Sequence, residues 1–153
     1  MSSESFNPAV GVMTKDAVEC ALRALRYRDR TGVEIEEHLR ARGFSDEDRS
    51  QAVETLRRTG FVDDERFARA RASSLAERGA GNALIRARLA EAGVAHEFVD
   101  DALGDVEPEA TRARRIVARR GTSPKTARYL VGKGFSEGVV RSVIAEGGDD
   151  ELG

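Results

Sequence analysis

A glycine closes one helical stretch after another along this chain, at positions 43, 60, 79, 93, 104, 121, 134 and 147. An apolar pattern of helical period that stops at glycine marks a helix ended by a left-handed residue. Closures this frequent in 153 residues leave room only for short helices joined by tight turns. The starts are marked as well. Thr31 with Glu34 reads as a capping box, Ser45 opens "SDED", and Ser123 precedes a proline at the first helical position. Together these marks cut the chain into about nine helices. Aromatic residues make up only 5% and tryptophan is absent, which gives strands little to work with. The expected fold class is all-α.

The helices repeat. Aligned on glycine, "IEEHLRARGFS" (Ile35 to Ser45), "IRARLAEAGVA" (Ile85 to Ala95) and "TARYLVGKGFS" (Thr126 to Ser136) share a leucine four residues before the glycine and an apolar residue directly after it. The next helix carries a matching stripe in the second and third copies: Phe98, Val99, Ala102 and Leu103 against Val139, Val140, Val143 and Ile144. In the first copy Asp48 and Arg49 take the first two stripe positions, and Ala52, Val53 and Leu56 supply the apolar face. Another amphipathic helix precedes each pair. The chain is therefore expected to form three tandem three-helix, helix-turn-helix-like repeats, over 14–60, 61–106 and 107–147. Each is too small to bury much core alone, so neighbours should pack into an elongated, curved body. Residues 1–13 and the acidic 148–153 are expected to be disordered.

Between the first two repeats stands "GFVDDERFARAR", Gly60 to Arg71. Its three carboxylates suggest either a metal site or a helix start. Adjacent helical positions do not face one another, so Asp63, Asp64 and Glu65 cannot converge on one ion. As a helix start they fit: Asp63 is the N-cap, and Asp64 and Glu65 follow where the helix dipole favours negative charge. Val62 and Phe67 then occupy the two positions of a hydrophobic staple. Gly60, Val62, Asp63 and Phe67 thus form an expected structural joint.

Several classes are disfavoured by what the sequence contains. Cys20 is the single cysteine, so neither an internal disulfide nor a cysteine metal cluster can form. Cys20 is expected in the core, and His38 and His96, far apart in sequence, at the surface. No apolar run reaches membrane-spanning length and the N-terminus does not read as a signal peptide, so no membrane association and a cytoplasmic location are expected. "RGAGNA" has the glycines of a phosphate loop without its lysine or preceding strand. No cofactor and no enzymatic activity are expected.

Charge points instead to binding. The net charge is only −2, yet the basic residues are 22 Arg to 3 Lys, and arginine's planar fork suits phosphates and carboxylates. From Leu89 to Thr111 there are seven acids and no Lys or Arg; from Arg112 to Arg141 there are nine basic residues and one acid. Helical spacing places Arg112, Arg115 and Arg119 on one face. With Arg120, Lys125, Arg128 and Lys133 they are the candidate contacts for DNA phosphate or an acidic protein surface. The alternative is a solvated face paired with the acidic segment. Arg66, Arg69 and Arg71, together with Arg26 and Arg30, are secondary candidates. Tyr27 and Tyr129 have basic neighbours, but stacking on bases would need an exposed ring, and half-buried rings are expected.

"GFVDDERFA", preceded by "ALRALRYRDRTGVEIEEHLRARGFS" and followed by "RGAGNALIRARLAEAG", resembles the RecX family of recombination regulators. The likeness runs from about residue 14 to 145. It implies a monomer of three helical repeats that binds the RecA recombinase. Such proteins lodge in the groove of the RecA filament on single-stranded DNA and restrain its growth, ATP hydrolysis, strand exchange and the co-protease activity behind the SOS response. Two rival readings remain: a sequence-independent DNA-binding protein of helix-turn-helix-like units, with direct binding to bare DNA, and a repeat scaffold for another helical protein.

Overall fold

The computed structural model describes residues 8–152, with side chains over 13–148. Nine helices follow one another in this span: α1 (Pro8–Leu25), α2 (Gly32–Ala41), α3 (Asp46–Arg58), α4 (Asp64–Glu77), α5 (Asn82–Glu91), α6 (His96–Asp105), α7 (Glu109–Arg120), α8 (Pro124–Gly132) and α9 (Glu137–Leu152). No strand occurs among the described residues. The fold is all-α, built of helix triplets.

The repeated glycine has a repeated job. Gly43, Gly93 and Gly134 all adopt positive φ, which L side chains avoid. Each donates its N–H three residues back, to Arg40, Ala90 and Val131, while the next residue donates to the conserved-register leucine: Phe44 to Leu39, Val94 to Leu89 and Phe135 to Leu130, at 3.0–3.3 Å. This pair of bonds is a Schellman motif. It turns the chain so that the leucine and the post-glycine residue meet the same core. Leu39, Leu89 and Leu130 are each fully buried.

The expected starts are present too. Thr31 and Glu34 form the reciprocal capping box, Ser45 accepts from the Asp48 N–H, and Ser123 caps α8 with Pro124 behind it. Two expected stops are not where glycine suggested. Gly104 lies inside α6, whose end follows from Pro108: the proline ring bars the helical region to the residue before it. Gly147 lies inside α9. A Cβ there would come within 2.7 Å of Thr122 and 3.2 Å of Val117, so this glycine permits close packing and ends nothing.

At the termini, helix replaces part of what was expected to be disordered. α1 begins at Pro8 and α9 runs to Leu152; residues 1–7 and 153 lie outside the described residues.

By contacts the chain divides after Phe67 into two compact units. In the first, α1 packs most extensively on α3, and α2 on both. Its core gathers Ala17, Ala21, Ile35, Leu39, Ala52, Val53, Leu56 and Val62. Asp48 and Arg49 are buried beside it without disrupting the packing. Asp48 accepts from Thr14 Oγ1 at 3.0 Å and Ser45 Oγ at 2.9 Å, and Arg49 donates to the Phe44 carbonyl at 2.7 Å and pairs with Asp46.

In the second unit α7 packs on α9 as α1 does on α3, and α5 packs on α6. Ala113, Ile116, Val117, Leu130, Phe135, Val140 and Val143 form a core. Here the second and third repeats are tied together by backbone. Gly81 N–H donates to Lys133 O at 2.8 Å and Ala83 N–H to Gly134 O at 3.0 Å. Glu109 accepts from Asn82 N–H at 2.6 Å and Ser136 N–H at 3.2 Å. A Cβ on Gly81 would land in the backbone of Gly134. In "RGAGNA" Gly79 therefore serves the positive-φ turn that ends α4 and Gly81 the close approach of two backbone segments, and the N–H groups that a phosphate would need are already bonded.

Candidate functional site

The joint at residues 60–67 holds a glycine turn and a capped helix start. Gly60 has φ +82°, Val62 and Phe67 are buried, and Asp63 accepts from the Arg66 N–H at 3.0 Å. Asp64 reaches back to the start of α2. It accepts from the Gly32 N–H at 2.9 Å and faces Arg57 at 3.7 Å. Glu109, first residue of α7, does the same for Asn82 at the start of α5. An acid at the head of one repeat thus supplies a missing acceptor to the repeat before it. Among the described residues, no group of three His, Cys, Asp or Glu side chains could hold a metal ion.

The expected stripe on α7 divides. Arg112 is buried and clamped: its guanidinium donates to Glu107 O at 2.8 Å, Ala80 O at 2.5 Å and Asn82 Oδ1, and lies 5.8 Å from the Phe135 ring centroid. Burial pulls its pKa down from the ordinary arginine value, with Glu109 and Glu107 opposing. A group so enclosed is no surface contact, contrary to its expected place on an exposed stripe. At about 100° per residue, the buried arc of α7 runs from Arg112 through Ile116 and Ala113 to Val117. Arg112 sits on its edge, and Arg115 and Arg119 lie just beyond it in solvent.

Those two open onto a groove of about 400 Å³. It is lined by the end of α4 (Ala76, Glu77, Arg78, Gly79), by Arg112, Arg115, Ile116, Arg119 and Arg120 of α7, and by Tyr129 of α8. Arg115 is held at one edge by Glu107 at 2.6 Å. That bond draws the Glu107 carboxyl below its usual range and lifts Arg115. Arg120 covers the Tyr129 ring, 3.5 Å from its centroid. Arg78 and Arg119 are exposed. With Arg112 enclosed, four arginines and one carboxylate, Glu77, remain on this wall, which gives it a positive potential.

The remaining candidates scatter. Lys125 and Arg128 are exposed on α8 and Lys133 is half-buried at its end, none of them lining the groove. Arg66 folds back on the Gly60 carbonyl at 3.3 Å, Arg69 pairs with Asp105 at 3.1 Å, and Arg71 is exposed. In the first unit Arg26 is exposed and Arg30 half-buried. The acidic segment does engage arginines: Asp100 pairs with Arg86 at 2.7 Å, besides the Arg69 and Arg115 pairs. Arg78 was not among the expected residues. Its only sequence signal is its place directly before the terminating Gly79.

The tyrosines divide: Tyr129 is half-buried, as expected, under Arg120, whereas Tyr27 is 87% exposed. Cys20 is half-buried against the first core. His96 is exposed and His38 half-buried. Arg42 donates to His38 Nδ1 at 3.4 Å, and burial, Arg42 and Arg30 together lower the pKa of that imidazole.

Comparison with known proteins bears on the whole arrangement. The first three-helix domain of RecX matches residues 17–56 and the second three-helix domain of RecX matches residues 63–103, together just over half of the chain. Among solved structures, the crystal structure of RecX from Lactobacillus salivarius superposes with a TM-score of 0.78 at 20% identity, covering 89% of this chain and 97% of that one. A crystal structure described as regulatory protein RecX gives a TM-score of 0.75 at 24% identity, covering 88% of this chain and 73% of that one. No curated protein matches the chain. The matched domains fall on the first two helix triplets, and the solved structures share the fold across nearly all of the chain. The chain belongs to the RecX family.

Proposed function

We propose that this protein is a non-enzymatic regulator that binds the RecA recombinase and its filament on single-stranded DNA. Acting as a monomer, it restrains filament growth, ATP hydrolysis, strand exchange and co-protease activity, and so recombination and the SOS response. The observation that carries this reading is the match of two successive three-helix domains to those of RecX. The description of a similar solved structure as a regulatory protein supports it. The arginine groove of the second unit is the candidate contact. Its open guanidiniums suit carboxylates on a protein filament or phosphates on the DNA within it. Filament binding of this kind calls for extended, charge-matched contact and no enclosed pocket. Added near one-to-one, the purified protein should depress the DNA-dependent ATP hydrolysis of RecA. Unchanged hydrolysis with the protein in excess would overturn the proposal.

A further inference from the structure

A second basic groove lies in the first unit. It has a volume of about 590 Å³ and is lined by Asp16, Cys20, Arg23, Ala24 and Tyr27 from α1 and the turn after it, Arg30 before α2, His38 and Arg42 on α2 and its cap, and Phe44. Three guanidiniums and an imidazole face one carboxylate. The size is that of a small-ligand site, about 300–1,000 Å³. Two details point to an occupant. Arg30 Nε is buried with no hydrogen-bond partner among the described residues, a donor left wanting an acceptor. Tyr27, 87% exposed, is a large aromatic ring that packing does not explain. Tyr129 differs, since Arg120 already occupies its face. A guanidinium cluster beside an open aromatic face is the combination that holds single strands: cations track the phosphates while bases stack on the ring. A duplex keeps its bases stacked inside and offers the ring nothing.

We propose that this groove binds single-stranded nucleic acid directly, with a phosphate on Arg23, Arg30 and Arg42 and the adjoining base stacked on Tyr27. The binding requires no other protein and stands apart from the RecA reading.

The chain has two tyrosines and no tryptophan, so intrinsic fluorescence can report on the ring itself. In the full chain carrying Tyr129→Phe, titration with oligothymidylate of about fifteen nucleotides, longer than the groove needs, should quench Tyr27 saturably. With a labelled oligonucleotide and no RecA, Tyr27→Ala should weaken binding about five-fold or more, and Tyr27→Phe should leave it intact. Arg42→Ala should lower the salt slope by about 0.7, as expected for the loss of one phosphate contact to a single strand. Circular dichroism should show all variants folded. Absence of quenching, or equal binding by Tyr27→Ala, would overturn the proposal. Polyglutamate or duplex DNA binding as tightly as the oligonucleotide, with no dependence on Tyr27, would overturn it as well.

Discussion

Arg112 and Arg119 stand two helical turns apart on α7 and have opposite environments. Arg112 satisfies two carbonyls and an amide oxygen in a buried setting, so Arg112→Ala leaves buried acceptors unpaired and a void beside Phe135. A loss of about 2–4 kcal/mol of unfolding free energy is expected, read by urea denaturation. Arg119→Ala should stay within about 0.5 kcal/mol of wild type; equal stability of the two variants would contradict the clamp. His38 offers a pH test. Its folded pKa is lowered by burial and by Arg42 and Arg30, so between the unfolded histidine value near 6.5 and the lower folded one, the unfolded chain binds the extra proton. Stability is then fully present above that window and is lost as pH falls through it. His38→Gln should flatten this part of the stability profile, and an unchanged profile would show the imidazole to be uninvolved. At the joint, Asp63→Ala should cost about 1 kcal/mol of stability while leaving binding intact.

At the scale of the helix, the glycine turns grade the predictions. Gly43 and Gly134 share a positive φ, but a Cβ on Gly43 meets open space while one on Gly134 comes within 2.6 Å of Leu84. Gly43→Ala should cost about 1–2 kcal/mol for the backbone alone, and Gly134→Ala clearly more, because it also pushes apart the two repeats joined at Gly81. Thermal unfolding of the pair checks this ordering, and equal midpoints would contradict it. These turns, the caps at Thr31, Ser45 and Ser123, and the buried leucines were legible in the sequence because each depends on residues within a few positions of it. Gly104 and Gly147 misled, since a glycine that packs reads the same as a glycine that stops. The groove was legible only in part. A run of arginines carries no mark of which one a neighbouring helix will enclose, so Arg112 passed for a surface residue and Arg78 went unseen. The bonds from Asp64 to Gly32 and from Glu109 to Asn82 span 32 and 27 residues, beyond any local pattern.

In the whole molecule, acids at the heads of α4 and α7 knit successive repeats, and much of the acidic segment is spent on Arg69, Arg86 and Arg115. Arg78, Arg119 and Arg120 line the groove of the second unit, and Arg23, Arg30 and Arg42 line that of the first beside Tyr27. We propose that this RecX-family chain restrains RecA through the second-unit groove. The most direct test is RecA ATP hydrolysis on single-stranded DNA, titrated with the wild-type chain and with a folded Arg78→Glu, Arg119→Glu, Arg120→Glu variant. Inhibition by the wild type near one-to-one and a loss of about ten-fold or more in potency for the variant are expected; a wild type without effect, or a variant as potent as the wild type, would overturn the proposal.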